Sequence, residues 1–224
     1  MTTGTCGSCC KTMSKGAMTR HLGTCGRAER GSPAWLISVC ARHAPSDYWA
    51  HLEIARDATL HALDGYLREL WLECCGHLSQ FEIDGRTYAT TTDLFGGDPD
   101  PLEDFNDDAS MDISIGDVLR PGKEARHIYD MGSTTELVVR CIDERAGAGD
   151  DDIRLLAHNA PPRIDCIACG SPATTICAEC NWDEAGSLCE DCASEHACDE
   201  AMYLPLTNSP RSGVCGYVGG AAMT

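Results

Sequence analysis

The sequence predicts an α+β chain: a mostly antiparallel sheet carrying one main helix, flanked by a small cysteine-rich module at each end. Three observations predict it. Short apolar runs at strand spacing alternate with turn residues from residue 34 to 142, one stretch has helical periodicity, and Cys-x2-Cys pairs with histidines cluster near both termini. The boundaries expected are 1–30, 31–160 and 161–224.

Sixteen cysteines in 224 residues need a physical role. Residues 1–25 have no apolar run of the length a secretory signal requires, and no stretch is apolar for the roughly 18 residues a membrane span needs. A cytoplasmic chain without membrane contact is therefore expected. In a reducing compartment, paired cysteines beside histidines read as metal ligands, with zinc the default ion.

In the first module, Cys6-x2-Cys9 followed by His21-x3-Cys25 has the ligand order of a Cys-Cys-His-Cys zinc finger, with a knuckle and a helix each supplying two ligands. Ser14 suits the N-cap of a helix over 15–24, which places His21 and Cys25 on one face. Cys10 is left over and could stand in for Cys9. So small a segment buries too little surface to fold without metal. Lys11, Lys15 and Arg20 lie on or beside the helix and suit phosphate contact with DNA or RNA; contact with protein is the competing reading. Residues 26–33 (GRAERGSP) have the composition of a linker.

The central region begins with strands at 34–40 and 48–54, where Tyr48, Ala50, Leu52 and Ile54 share one face at period two. The main helix follows, with Leu60, Leu63, Leu67, Leu70 and Trp71 at three- and four-residue spacing, Asp57 or Thr59 as cap and Gly76 as terminator. Strands at 81–83 and 86–89 flank Asp84-Gly85, a two-residue hairpin turn. Two more, at 126–129 and 136–142, surround Gly132-Ser133. Between Asp93 and Asp117 stand nine acidic residues and no basic one, but Pro99 and Pro101 interrupt any calcium-loop spacing, so a solvated insertion is expected. Residues 147–152 (GAGDDD) read as another exposed loop.

The last module carries Cys166, Cys169, Cys177, Cys180, Cys189, Cys192, His196 and Cys198, enough for two tetrahedral ions and three zinc ions in the whole chain. Sequential pairing would crowd the last four ligands into ten residues. A cross-braced pairing relieves this, with Cys166, Cys169, Cys189 and Cys192 at one ion and Cys177, Cys180, His196 and Cys198 at the other. That spacing resembles B-box and related cross-braced modules, which implies protein binding by analogy.

A net charge of -18 argues against broad wrapping of a nucleic-acid backbone. Yet the first 30 residues hold Lys11, Lys15, Arg20, Arg27 and Arg30 against Glu29 alone, so any polyanion contact belongs there. Three lysines beside fourteen arginines suit either a salt-adapted host or a GC-rich genome.

The segments Tyr48-Trp49-Ala50-His51-Leu52, Thr59-Leu60, Leu67-Arg68-Glu69-Leu70-Trp71 and Gly76-His77-Leu78-Ser79-Gln80-Phe81 resemble a plasmid-borne open-reading-frame-3-like family first named from a root-inducing plasmid. Asp117-Val118-Leu119, Tyr129-Asp130-Met131-Gly132-Ser133 and the tail from Asn208 to Tyr217 extend the resemblance over about 34–219. It implies a setting among mobile elements, as an insertion-element passenger protein. The family's resolvase-like label implies recombinase chemistry, for which this chain has no matching nucleophile and arginine set. The family's common form lacks the N-terminal finger.

The remaining polar residues read plainly. Cys74 continues the apolar stripe of the main helix, so Cys74-Cys75-Gly76-His77 is expected to pack rather than bind. Cys40, Cys141 and Cys215 are expected to behave as small hydrophobes. Tyr129-Asp130 is a usable acid-base pair, although an aspartate at a turn normally bonds its own backbone. The expected function is a non-enzymatic zinc-binding adaptor or regulator, touching nucleic acid through the finger and an unknown protein elsewhere. A scaffold that binds protein alone, or an enzyme working in the central cleft, are the alternatives.

Overall fold

The structure, a computed structural model, describes residues 1–90, 108–148, 151–183 and 185–220, with the side chain of Glu200 set aside. Most of the acidic run expected as a solvated insertion lies outside the described residues, as do 149 and 150 of the GAGDDD loop.

Strands β1 (Thr3–Cys6), β2 (Thr12–Ser14), β3 (Pro33–Ala41), β4 (Trp49–Ala55), β5 (Ser79–Ile83), β6 (Arg86–Ala89), β7 (Ala109–Ser110), β8 (Glu124–Tyr129), β9 (Thr135–Ala146) and β10 (Ile153–Asn159) form one sheet. Its order is β2-β1-β10-β4-β3-β9-β8-β5-β6-β7. Every pairing is antiparallel except β6 with β7. A separate three-stranded sheet, β12-β11-β13, joins β11 (Thr175–Cys177), β12 (Ser187–Leu188) and β13 (Tyr203–Pro205).

The chain is therefore sheet-rich and antiparallel-dominated, with less helix than the α+β expectation. Helices α1 (Lys15–Leu22), α2 (Leu60–Leu67), α3 (Ile115–Val118) and α4 (Glu190–Ser194) are all short. The main helix is regular only to Leu67 and continues as a π turn over Arg68–Leu72. The wider turn narrows the arc spanned by the consecutive residues Leu70, Trp71 and Leu72, all of them fully buried. Thr59 is the cap, its hydroxyl accepting from Ala62 N–H at 3.1 Å. Gly76 does not end the helix; at φ 76° it reverses the chain before β5.

The central strands are covered on both faces. Trp35, Ile37, Val39, Ala50, Leu52 and Ile54 pack with α2 and the π turn, while Leu36, Cys40 and Trp49 face the other way, toward Met18 and Leu22 of α1. This double burial is why β3 is a near-continuous apolar run rather than an alternating one. It also means that residues 1–25 are not held at arm's length by the 26–33 segment. Strand β1 extends the sheet by pairing with β10, Gly4 opposite Asn159 and Cys6 opposite Ala157.

The docking is polar as well as apolar. Buried Glu53 holds Arg145 at 2.7 Å and Arg154 at 2.9 Å. The two guanidinium groups donate to the carbonyl oxygens of Leu22, Cys25 and Gly26, at and beyond the C-terminus of α1. Cations at a helix C-terminus meet both its unpaired carbonyls and its dipole, so this network fixes how α1 lies on the sheet.

Candidate metal centres

Each candidate centre starts from local backbone geometry. After Cys6 the chain turns so that Cys10 N–H donates to Cys6 carbonyl at 2.9 Å, with Cys10 at φ 60°. Cys166 repeats the turn: Gly170 N–H donates to its carbonyl at 2.9 Å, and Gly170 has φ 74°. Such a turn points backbone N–H groups at the first cysteine sulfur. Burial opposes ionisation of Cys6, but N–H donors of Ser8 and Cys9 bring its thiol down to about 6. At Cys166 the N–H of Cys189 leads, and the thiol again falls to about 6. Cys10 therefore fills the left-handed position of the knuckle and is not in the ligand set, so it does not stand in for Cys9.

Cys6, Cys9, His21 and Cys25 converge with all ligand atoms within 4.8 Å of one another. Cys6 and Cys25 sulfurs are 3.8 Å apart, and Cys9 Sγ lies 3.2 Å from His21 Nε2. Helix α1 ends at Leu22 rather than 24, but Cys25 N–H still donates to His21 carbonyl at 3.0 Å, which keeps the two ligands on one side. Ser14 occupies the N-cap with extended backbone, yet its side chain makes no cap bond.

In the C-terminal module the groups are Cys166, Cys169, Cys189, Cys192 and Cys177, Cys180, His196, Cys198, which is the cross-braced arrangement and not the sequential one. Cys169 and Cys189 sulfurs are 3.6 Å apart, Cys180 and Cys198 also 3.6 Å, and Cys180 Sγ lies 3.3 Å from His196 Nε2. Cys189 is the N-cap residue of α4 and Cys192 lies on that helix. The single hydroxyl proton of Tyr203 is shared between the carbonyls of His196 at 3.3 Å and Cys198 at 3.2 Å, bracing the second group.

These distances carry chemical meaning. A tetrahedral ion with metal–sulfur bonds of about 2.3 Å spaces two thiolates about 3.8 Å apart, whereas a disulfide would bring them to about 2.05 Å. All sixteen cysteines are free thiols. Thiols packed this closely oppose one another's ionisation: burial, then Cys9 and Cys6, push Cys25 up to about 11, and Cys180 leads in pushing Cys198 up to about 12. A soft divalent cation relieves that repulsion, so the donor sets fit zinc.

Among the described residues a further group meets the same test: Cys74, Cys75, His77 and Cys215. The expectation that Cys74 merely packs and that Cys215 is a small hydrophobe is corrected here. Cys74 does touch the apolar core, but Cys215 is exposed and faces Cys75 at 3.5 Å. A Cys-Cys-Gly-His run offers three soft ligands in four residues, and that density was the available signal.

Of the residues expected to touch phosphate, Lys11 and Arg20 are exposed, while Lys15 is half-buried with its Nζ donating to Pro45 carbonyl at 3.3 Å. Tyr129 is fully buried beneath Arg68 and Arg211. Asp130 accepts from Gly132 N–H at 2.9 Å and from buried Arg211 at 2.6 Å, so this pair is committed to structure.

No family model matches the chain, and no curated protein does. A crystal structure of a protein of unknown function from Methanosarcina mazei Go1 is similar at 14% identity and a TM-score of 0.45, covering 57% of this chain and 68% of that one. Among the described residues, no helix is long and apolar enough to cross a membrane.

Proposed function

We propose that this chain is a non-enzymatic adaptor in which three zinc ions shape surfaces that bind another protein. The observation that carries the reading is the convergence of four Cys or His ligands in each of the three expected groups. Four protein ligands saturate a tetrahedral ion, which leaves no position for water or substrate and makes the metal structural. The C-terminal module has little apolar interior of its own, so metal supplies its folding free energy, on the order of 10 kcal/mol per ion. Within the module so formed, Trp182 is 76% exposed and Ile167 is 61% exposed, large apolar side chains of the kind that anchor protein contacts. The resemblance to the plasmid-borne family motivates a setting among mobile elements, and the paired cysteines read as metal ligands motivate a reducing, cytoplasmic location.

The test is affinity capture from nuclease-treated extract of the source cell, with the zinc-loaded full chain and a Trp182→Ala/Ile167→Ser variant. A protein held by the first and lost by the second, at equal zinc content, supports the reading; equal retention sinks it.

A second reading, nucleic-acid contact through the finger, is favoured by the exposure of Lys11 and Arg20 within a locally basic segment. With Lys15 turned onto Pro45, about two phosphate contacts remain, which predicts a log-log salt slope of about -2 on duplex DNA. Fluorescence anisotropy across salt measures it, and a Lys11→Glu/Arg20→Glu variant that binds equally well removes it. Deleting the first 30 residues would be a poor test, because it strips β1 from the sheet.

A further inference from the structure

We propose that Cys74, Cys75, His77 and Cys215 bind a fourth zinc ion, and that this ion fastens the C-terminal tail to the segment joining the π turn to β5. The inference goes beyond the three-ion reading and rests on different residues.

The geometry is that of a tetrahedral ion. Cys74 and Cys75 sulfurs are 3.6 Å apart, Cys75 and Cys215 sulfurs 3.5 Å, Cys215 Sγ and His77 Nε2 3.5 Å, and Cys75 Sγ and His77 Nε2 3.0 Å. The two sulfur–sulfur edges and the Cys215–His77 edge lie close to the spacing that metal–sulfur bonds of about 2.3 Å require, and the Cys75–His77 edge is shorter. The backbone is shaped for convergence. Gly76 at φ 76° folds His77 back toward Cys75, and Cys215 itself holds φ 55°. A cysteine in the left-handed region is strained, and surrounding interactions must offset that strain.

Supporting groups stand around the ligands, as they do at bound metals. Arg211 reaches Cys74 Sγ at 3.5 Å from its ion pair with Asp130, and Tyr129 hydroxyl lies 3.9 Å from the same sulfur. Three thiolates and one imidazole around zinc carry a net negative charge, and the guanidinium, whose counter-charge is Asp130, supplies one of these sulfurs with a hydrogen-bond donor.

The ligands come from two places in the chain. Cys74, Cys75 and His77 lie between the π turn and β5, whereas Cys215 lies in the tail. The tail already touches the π turn through Ser209, which donates to Trp71 carbonyl at 2.7 Å, and the turn between β8 and β9 through Arg211, which donates to Ser133 carbonyl at 2.9 Å. The fourth ion completes a latch that begins with these bonds. Unlike the other three, it lies on the central domain, with Cys75 and Cys215 exposed.

Thiol alkylation on the intact zinc-loaded chain tests the site, read cysteine by cysteine by mass spectrometry. Cys10 is exposed and outside every ligand group, so it is the internal reference. Zinc ligation makes Cys75 and Cys215 react at least about tenfold more slowly than Cys10 despite their exposure. Zinc per chain falls by one in a Cys75→Ser/Cys215→Ser variant and is restored in Cys215→His. Alkylation of Cys75 and Cys215 at the Cys10 rate overturns the proposal, as does an unchanged zinc count in the folded double variant. Cys9 and Cys169, exposed ligands of the other groups, report separately on the three-ion reading, so the two ideas can fail independently.

Discussion

Acid should weaken the docking of α1 onto the sheet through one side chain, His51. It is fully buried on β4, with Nε2 2.8 Å from Thr19 Oγ1 on α1. The Thr19 hydroxyl has one proton and donates it to Lys15 carbonyl at 3.0 Å, so His51 Nε2–H must be the donor to Thr19. Nδ1 is then the bare nitrogen, buried with no hydrogen-bond partner. Protonating it would create a buried charge and an unpaired N–H. Burial, followed by the positive charge of Lys15, accordingly lowers the His51 pKa from 6.5 to about 4. Because the folded pKa is depressed, the unfolded chain binds more protons below pH 6.5. Stability is lost as pH falls through that point and the loss saturates below about 4. Between pH 7.5 and 5 the loss amounts to about 2 kcal/mol. His51→Gln removes the titration while keeping a donor near Thr19. Urea unfolding of both proteins at fixed free zinc gives the difference, since thiolate protonation is common to the two. The expected wild-type disadvantage grows by about 2 kcal/mol on acidification. A difference that stays flat over this range, or an NMR titration of the His51 ring with a midpoint near 6.5, would refute the argument.

Cys10→Gly should raise stability by up to about 1 kcal/mol, because glycine accepts the φ of 60° that cysteine resists; an unchanged or lower urea midpoint at fixed zinc counts against the knuckle description. Gly4→Ala should do the opposite, since a Cβ there would fall on His158 carbonyl oxygen and within 2.6 Å of the Trp49 ring, costing on the order of 2 kcal/mol and exposing β1 and β10 amides to hydrogen exchange. Asp130→Asn keeps a residue tolerant of the local φ of 64° but leaves Arg211 buried without its counter-charge, so thermal or urea unfolding should show a loss of about 3 kcal/mol. A strong zinc chelator should strip hydrogen-exchange protection from 166–198 while β3, β4 and β9 keep theirs; uniform loss would mean the modules are not separately metal-dependent.

Local chemistry was legible in the sequence and remote pairing was not. Asp84-Gly85 forms its hairpin because both residues take positive φ, 51° and 79°, a preference written into the dipeptide. The Cys-x2-Cys knuckles are equally local, and ligand crowding alone favoured the cross-braced grouping. By contrast β1 and β10 pair across about 150 residues of chain, and nothing within Thr3–Cys6 announces a partner at Ala157. The fourth ligand group was missed for the same reason. Cys74, Cys75 and His77 are adjacent, but Cys215 reaches them only through a tail that Ser209 and Arg211 plug into the domain. The π turn was hidden too, because Leu67, Leu70 and Trp71 satisfy a regular helix repeat just as well.

The position of β1 has a consequence for how the protein is made. Gly4 and Cys6 leave the ribosome long before Asn159 and Ala157, the residues they pair with, so the N-terminal segment must wait through about 150 residues of translation. During that wait β1 offers an open edge of the kind that joins neighbouring chains. Metal captured early by Cys6, Cys9, His21 and Cys25 would fold the segment on itself and pair the other edge of β1 with β2, leaving one open edge instead of two. Zinc supply during synthesis would then govern the yield of folded protein more strongly than zinc supply afterwards.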